Sequence, residues 1–144
     1  MVSRDWVAFN ADIVDEFRAN GGRVARFGNL PVIILHTIGA RSGQVRLTPL
    51  IPIVDRGDMF VFATAAGATK DPAWCANLLA HPRITVESTD GQLVADVAPI
   101  SPDEAQRMID ERAATTPQLA EYVVSASPRR IPVFSITPVE AEVE

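Results

Sequence analysis

The chain has 144 residues, the size of one domain, and 47% of them are hydrophobic, which excludes a disordered protein. Its net charge of −5 argues against nucleic acid as the main partner, and no apolar run is long enough to predict stable membrane insertion. A single cysteine, Cys75, excludes an internal disulfide, and no metal-binding spacing is present. Without a signal-peptide pattern, we expect one cytoplasmic domain over residues 1–144.

The first 30 residues predict a helix and a linker. Four apolar side chains recur at helical spacing over residues 5–20, at Trp6, Phe9, Ile13 and Phe17. The opposite face is mostly acidic, which favours packing against the core over a membrane-surface helix. A lid over a ligand is the alternative. Residues 31–138 are then expected to form the barrel of the domain, and residues 139–144 a frayed tail.

The stretch from Gly39 to Arg46 is the most unusual in the chain. An apolar strand over residues 31–38 leads into it, and a second strand, residues 47–54, leaves it. Glycines let the backbone turn and let a ligand approach closely, and arginine offers a planar fork to phosphate or carboxylate. The pattern favours a loop that binds a polyanionic small molecule, and the alternative is a polar hairpin tip.

Later segments predict alternating hairpins and helices. A third strand covers residues 59–64, small residues follow at 65–71, and Asp71-Pro72 begins a helix that ends at His81-Pro82. Two strands, two helices and a last strand complete the chain, over residues 83–88, 93–97, 101–114, 118–124 and 129–136. Six strands with hairpin links predict an α+β protein with a small, mostly antiparallel barrel and flanking helices.

Other reactive side chains give no catalytic set. Ser42 has no histidine or acid near it in sequence, so no hydrolase is indicated. Cys75 is expected to be a buried, inert thiol, and His36 a hydrogen-bonded histidine within the core. An anion-binding loop beside small residues, with no acid–base set, indicates that a bound cofactor carries the chemistry.

Two motifs resemble the deazaflavin-dependent nitroreductase and quinone reductase family. The first is His36-Thr37-Ile38-Gly39-Ala40-Arg41-Ser42-Gly43-Gln44-Val45-Arg46-Leu47-Thr48-Pro49-Leu50. The second runs from Thr64 through Trp74 to Asn77-Leu78, and the resemblance continues to Arg130-Ile131-Pro132-Val133. It implies a split β-barrel that binds the deazaflavin coenzyme F420, which carries a phosphate and a polyglutamate tail. The family often has Arg-Lys where this chain has Ala40-Arg41.

The resemblance also assigns residues to parts of the coenzyme. It implies that the phosphate and tail are held by Arg41, Ser42, Gly43, Gln44 and Arg46. It places Thr48, Pro49, Leu50 and Ile51 along the ring, with the backbone amides other than that of Pro49 in reach of its polar edge. The opposite wall is Thr64, Ala65, Ala66 and Gly67, and the resemblance implies that the pocket is closed or braced by Lys70, Trp74 and Asn77. Trp74 is equally well interpreted as a core anchor, and the proton for the product is expected from Tyr122 or from solvent.

The implied activity is hydride transfer from the reduced coenzyme to an electron-poor acceptor, such as a quinone, a nitroaromatic or an activated enone. Two other functions remain open from the sequence. One is a split-barrel oxidoreductase that uses FMN, whose phosphate would suit the same arginine loop. The other is a non-catalytic module that binds the cofactor. The protein is expected to be a monomer or a homodimer.

Overall fold

Seven antiparallel strands form one sheet whose two edge strands follow each other in the sequence. The structure, a computed structural model, describes residues 6–139, with side chains from residue 8 onward; Asp5, the side chain of Trp6 and the tail at 140–144 lie outside this range. The strands are β1 (Ile33–Ile38), β2 (Val45–Leu50), β3 (Ile53–Asp55), β4 (Asp58–Phe62), β5 (Arg83–Ser88), β6 (Gly91–Pro99) and β7 (Val133–Pro138).

The strand order is β2-β1-β5-β6-β7-β4-β3. Only Ile51 and Pro52 separate β2 at one edge from β3 at the other. A two-residue link cannot cross the width of a flat seven-stranded sheet, so the sheet curls until its edges approach each other. This curled half-barrel confirms the predicted α+β split-barrel class.

The sheet has seven strands where the sequence predicts six, because residues 47–54 form two strands instead of one. Proline cannot donate a hydrogen bond to a ladder, and the buried Pro52 lies where the chain passes from one edge to the other. Pro49 stays inside β2, paired with Ile34 of β1. The predicted prolines therefore interrupt the ladder at Pro52 but not at Pro49.

Four helices cover the curled sheet: α1 (Trp6–Ala19), α2 (Ala73–Ala80), α3 (Pro102–Ala113) and α4 (Pro117–Ala126). The interior of the half-barrel is apolar, with Leu35, Val61 and Phe134 fully buried. On the outer face, Ile13 and Phe17 of α1 pack near Ile34, which confirms a packing helix. The helices α3 and α4 cover another part of that face. In the part of the chain described, no helix is both long and apolar enough to cross a membrane.

A buried carboxylate connects α1 to the sheet. Glu87 of β5 accepts hydrogen bonds from Arg18 Nη2 at 2.5 Å, and its Oε1 lies 2.7 Å from His36 Nε2. The prediction that His36 is hydrogen-bonded is therefore confirmed, but its side chain is 22% exposed and is not part of the buried core. The guanidinium of Arg18, and secondly the contact with His36, hold the pKa of Glu87 below its usual value.

The lowered pKa of Glu87 predicts acid sensitivity. A carboxylate with a depressed folded-state pKa stabilises the fold above its unfolded pKa, and this contribution is lost as the pH falls through the folded value. We expect Glu87→Gln to lower the free energy of unfolding by about 1–2 kcal/mol at neutral pH and the difference from wild type to shrink below about pH 4. Urea unfolding from pH 7 to pH 3 measures it. Asp96→Asn, which removes an exposed ion pair with Arg83, is the control; an equal effect there would contradict the prediction.

Candidate coenzyme site

The Gly39–Gln44 loop is closed by its own hydrogen bonds. The N–H of Gly39 donates to Gln44 O at 2.8 Å, and the N–H of Gly43 donates to Gly39 O at 2.9 Å. Ser42 Oγ accepts from the N–H of Gln44 at 3.1 Å. A Cβ on Gly39 would lie 2.3 Å from Ser42 Oγ, so a larger residue there would push the hydroxyl away from Gln44. Ser42 therefore shapes the loop.

Two guanidinium groups project from this hairpin, and among the described residues neither has a partner. Arg41 and Arg46 are exposed, and neither forms an ion pair with any carboxylate in residues 6–139. Arg107 on α3, by contrast, contacts Asp55, Glu104 and Glu111. In a protein of net charge −5, two unpaired arginines on one hairpin are available to an anionic ligand.

The backbone of β2 offers an open hydrogen-bonding edge next to these arginines. The bond from Gly39 N–H to Gln44 O fixes the alternation of the β1–β2 ladder. Arg46, Thr48 and Leu50 therefore direct their backbone groups toward β1. Val45, Leu47 and Pro49 direct theirs toward the open edge, where no strand pairs with β2.

This alternation changes the amides that can meet a ligand. The sequence prediction used those of Thr48, Leu50 and Ile51, and the register turns the N–H groups of Thr48 and Leu50 toward β1. The side chain of Thr48 is buried, with Oγ1 3.4 Å from Thr37 Oγ1. Leu50 packs against the interior core, and Ile51 packs near α1. The open edge instead presents the N–H groups of Val45 and Leu47. Pro49 also lies on this edge, but proline has no N–H, so its position leaves no unpaired donor.

The helix α2 connects the hairpin to the second predicted motif. Asn77 is buried, and its Oδ1 accepts a 3.0 Å hydrogen bond from the N–H of Ala40. Asn77 thus braces the arginine loop, and its contribution to closing the pocket stays a prediction. The helix itself begins at Ala73, with Pro72 rather than Asp71 as its N-cap. Lys70, just before it, is exposed.

Residues 64–67 form a strained turn at the end of β4. Ala65 and Ala66 adopt left-handed backbone angles, with φ of 47° and 53°, and Gly67 follows with φ of 82°. A Cβ on Gly67 would lie 2.9 Å from the Cβ of Ser125 and 3.2 Å from the Cα of Tyr122. The structure therefore brings the predicted wall and the predicted proton donor together, because α4 packs directly on the turn.

Arg129 holds this turn in place, a role that sequence reasoning missed. Its Nη1 donates to Ala63 O at 3.0 Å and its Nη2 to Thr64 O at 2.8 Å. Its Nε donates to Ala68 O at 2.9 Å, and Nη1 also reaches Asp71 Oδ1 at 2.8 Å. The predicted last strand began at Arg129, but β7 begins at Val133. The sequence signal that was available is Arg-Arg directly before Ile131-Pro132.

Trp74 and Cys75 belong to the core. The Trp74 ring lies 5.7 Å from that of Phe134, and it packs against the interior cluster, which supports the core-anchor interpretation. Burial, with a smaller contribution from Asp71, raises the pKa of Cys75 to about 12, so its thiol stays protonated. A cleft of about 240 Å³ lies elsewhere, between β3 and α3, and shares no residue with the predicted site.

Comparisons with known proteins identify the family of this chain. The family model for F420H(2)-dependent quinone reductases matches residues 10–138. An F420H(2)-dependent quinone reductase of Mycobacterium tuberculosis is 30% identical over 128 aligned residues, and the match covers 84% of each chain. A solved F420-H2 dependent reductase is 29% identical with a TM-score of 0.62, and the match covers 74% of this chain and 93% of that one. A structure described as a domain-swapped dimer is 27% identical with a TM-score of 0.63, covering 92% and 97%. The resemblance is confirmed: the chain belongs to the F420H(2)-dependent quinone reductase family, so it is a deazaflavin-dependent reductase whose cofactor is coenzyme F420.

Proposed function

We propose that this protein binds reduced coenzyme F420 along the Gly39–Arg46 hairpin and the open edge of β2, and reduces a small electron-poor acceptor. A quinone is the first candidate, because the M. tuberculosis relative is named a quinone reductase. Nitroaromatics and activated enones have the same electron demand and are further candidates. The observation that carries the proposal is the pair of unpaired arginines beside unpaired backbone donors.

The donor set fits the coenzyme. Its phosphate and glutamates need cations, and Arg41 and Arg46 supply planar forks with no competing carboxylate in the described chain. The deazaflavin ring has a polar edge of carbonyl and ring nitrogen atoms, which the N–H groups of the β2 edge suit. Family membership makes FMN unnecessary as an alternative cofactor.

The two halves of the site are joined by α2, whose eight residues span about 12 Å. The hairpin is bonded to Asn77, and the strained turn is bonded through Arg129 to Asp71 just before the helix. We assign the hairpin to the charged tail and the Thr64–Gly67 turn to the wall at the ring. Lys70 adds a cation between them.

When bound, the reduced coenzyme supplies a hydride to the acceptor. The chain's own contribution is to fix the coenzyme, to align the acceptor and to limit water at the reacting atoms. Half-buried Ala65 and Ala66 leave room for a flat molecule, since they carry only methyl groups. We assign the proton needed by the product to the hydroxyl of Tyr122.

An acceptor screen tests the activity. Reduced F420 is incubated with the protein and, separately, a water-soluble quinone, a nitroaromatic and a cyclic enone, and its oxidation is followed by absorbance. Oxidation that depends on both protein and quinone is the expected result. Saturable binding of the coenzyme with no acceptor reduced would favour a non-catalytic binding module. Size-exclusion chromatography of the same sample distinguishes a monomer from a homodimer.

Tyr122 is expected to act in turnover and not in coenzyme binding. Its side chain is half-buried, and its hydroxyl has no hydrogen-bond partner in residues 6–139. Positioned proton donors contribute about 100-fold or more to rate, and solvent replaces part of this, so Tyr122→Phe should lower kcat by about ten-fold. The Kd for oxidised F420 should be unchanged, since the ring remains. An unaltered kcat would remove Tyr122 from the mechanism.

A further inference from the structure

We infer that Arg129 is a positioning residue of the coenzyme site, which holds the Thr64–Gly67 turn in the shape that a ligand meets. This inference rests on the proposed function, because it assigns the turn to the wall beside the deazaflavin ring. Arg129 itself is assigned no contact with the coenzyme. Its guanidinium acts through the backbone of the turn.

The strain in the turn requires an external support. Left-handed angles are unfavourable for residues with a Cβ, and two such residues in succession, Ala65 and Ala66, persist only where the surroundings fix them. The N–H groups of both alanines have no acceptor within residues 6–139. The turn therefore presents unpaired N–H donors in a backbone conformation that its two alanines do not favour by themselves.

Arg129 brackets this turn from both sides. Ala63 O and Thr64 O accept its hydrogen bonds before the two alanines, and Ala68 O and Asp71 accept them after. The side chain is only 9% exposed, and its bonds to Ala63 O and Thr64 O are partly buried, whereas those to Ala68 O and Asp71 are exposed. Three diverging carbonyl groups and a carboxylate match the planar fork of arginine, whereas the single ammonium of lysine cannot span them.

The third side of the turn is closed by α4, where Gly67 meets Tyr122 and Ser125. Arg129 follows α4 after only Ser127 and Pro128. The guanidinium therefore links the helix that carries the proposed proton donor to the turn that faces the ring. Displacing Arg129 should move the turn and so weaken the coenzyme contact, while the distant Arg41–Arg46 hairpin stays in place.

Three variants test this assignment: Arg129→Lys, Arg129→Met and the control Arg130→Met. Arg130 is exposed and has no ion pair in the described chain, so its replacement removes the same charge without touching the turn. Each protein is titrated with oxidised F420, and its thermal unfolding midpoint is recorded. KM for reduced F420 and kcat at saturating coenzyme are measured with the acceptor found in the screen.

We expect Arg129→Lys to raise the Kd and the KM for the coenzyme by about ten-fold, with kcat at saturating coenzyme within about two-fold of wild type. Arg130→Met should match wild type. Arg129→Lys keeps the charge and the stem, so it decides the outcome if Arg129→Met does not fold. A folded Arg129→Lys that binds F420 as tightly as wild type would overturn the assignment, and so would an equal loss in Arg130→Met.

Chemical rescue separates positioning from simple loss of stability. Arg129→Ala, at a temperature where it is folded, is titrated with F420 in millimolar ethylguanidinium or, at the same ionic strength, ethylammonium. We expect ethylguanidinium alone to restore the affinity, since only a planar guanidinium can donate to the same carbonyl and carboxylate groups as the Arg129 side chain. Rescue by neither cation would overturn the assignment. If the wild-type protein does not bind F420, the proposed function itself is contradicted. If the wild type binds F420 and the Arg129 variants bind it equally well, only the role of Arg129 is contradicted.

Discussion

Replacing both Arg41 and Arg46 by alanine should weaken binding of oxidised F420 by about a hundred-fold or more. A hydrogen bond to a charged group is worth about 1.5–3 kcal/mol, and each arginine can make one with the phosphate or tail. The two free energies add, so the two fold-increases in Kd multiply. Both side chains are exposed and unpaired in the described chain, so their removal should leave stability nearly unchanged. Fluorescence titration at low ionic strength measures the Kd.

A double variant with the same charge change serves as control. Arg23→Ala with Arg112→Ala removes two other exposed arginines. Arg23 lies between α1 and β1, and Arg112 lies on α3. General attraction of an anion would fall equally in both double variants, whereas a local site loses affinity only in the first. The affinity of wild type should also fall as salt is added. Equal losses in the two double variants would contradict a site at this hairpin.

Gly67→Ala should be the most damaging single-methyl change in the site. The substitution forces alanine to a φ of 82° and places its Cβ 2.9 Å from the Cβ of Ser125. The backbone strain costs about 1–2 kcal/mol and the overlap about 1–3 kcal/mol more, so the free energy of unfolding should fall by about 2–5 kcal/mol. Binding of F420 should weaken in parallel, because the turn or α4 must move.

Gly57→Ala isolates the two contributions. Gly57 has a similar φ of 85°, but a Cβ there would meet no atom within 4 Å. It should therefore show the backbone strain alone, about 1–2 kcal/mol in urea unfolding, and should leave coenzyme affinity unchanged. If Gly67→Ala were no more destabilising than Gly57→Ala, the contact between the turn and α4 would not be as tight as described.

Local patterns predicted the parts of the site that depend on neighbouring residues. The Gly39–Gln44 loop follows from its glycines and from the apolar strands on each side, and the structure closes it with short-range hydrogen bonds. The helix start at Ser101-Pro102 is confirmed, since Ser101 Oγ accepts from the N–H of Glu104. Both features need contacts no more than five residues apart, which single-sequence reasoning can use.

Features that depend on distant contacts could not be predicted in the same way. The guanidinium of Arg129 meets carbonyl groups more than 60 residues earlier, and nothing near Arg129 in the sequence marks them. Pro52 separates two strands because the sheet closes there, which is a property of all seven strands. The choice between the amides of Thr48 and Leu47 depends on the register with β1, which the turn geometry fixes.

The most direct measurement is a map of backbone amide shifts. Uniformly ¹⁵N-labelled protein is titrated with oxidised F420, and in parallel with FMN, and followed by two-dimensional NMR. We expect F420 to move the amides of residues 39–47 and 64–67, with FMN producing smaller changes at higher concentration. Shifts confined to the cleft between β3 and α3, or none at saturating F420, would contradict a coenzyme site on the Arg41–Arg46 hairpin.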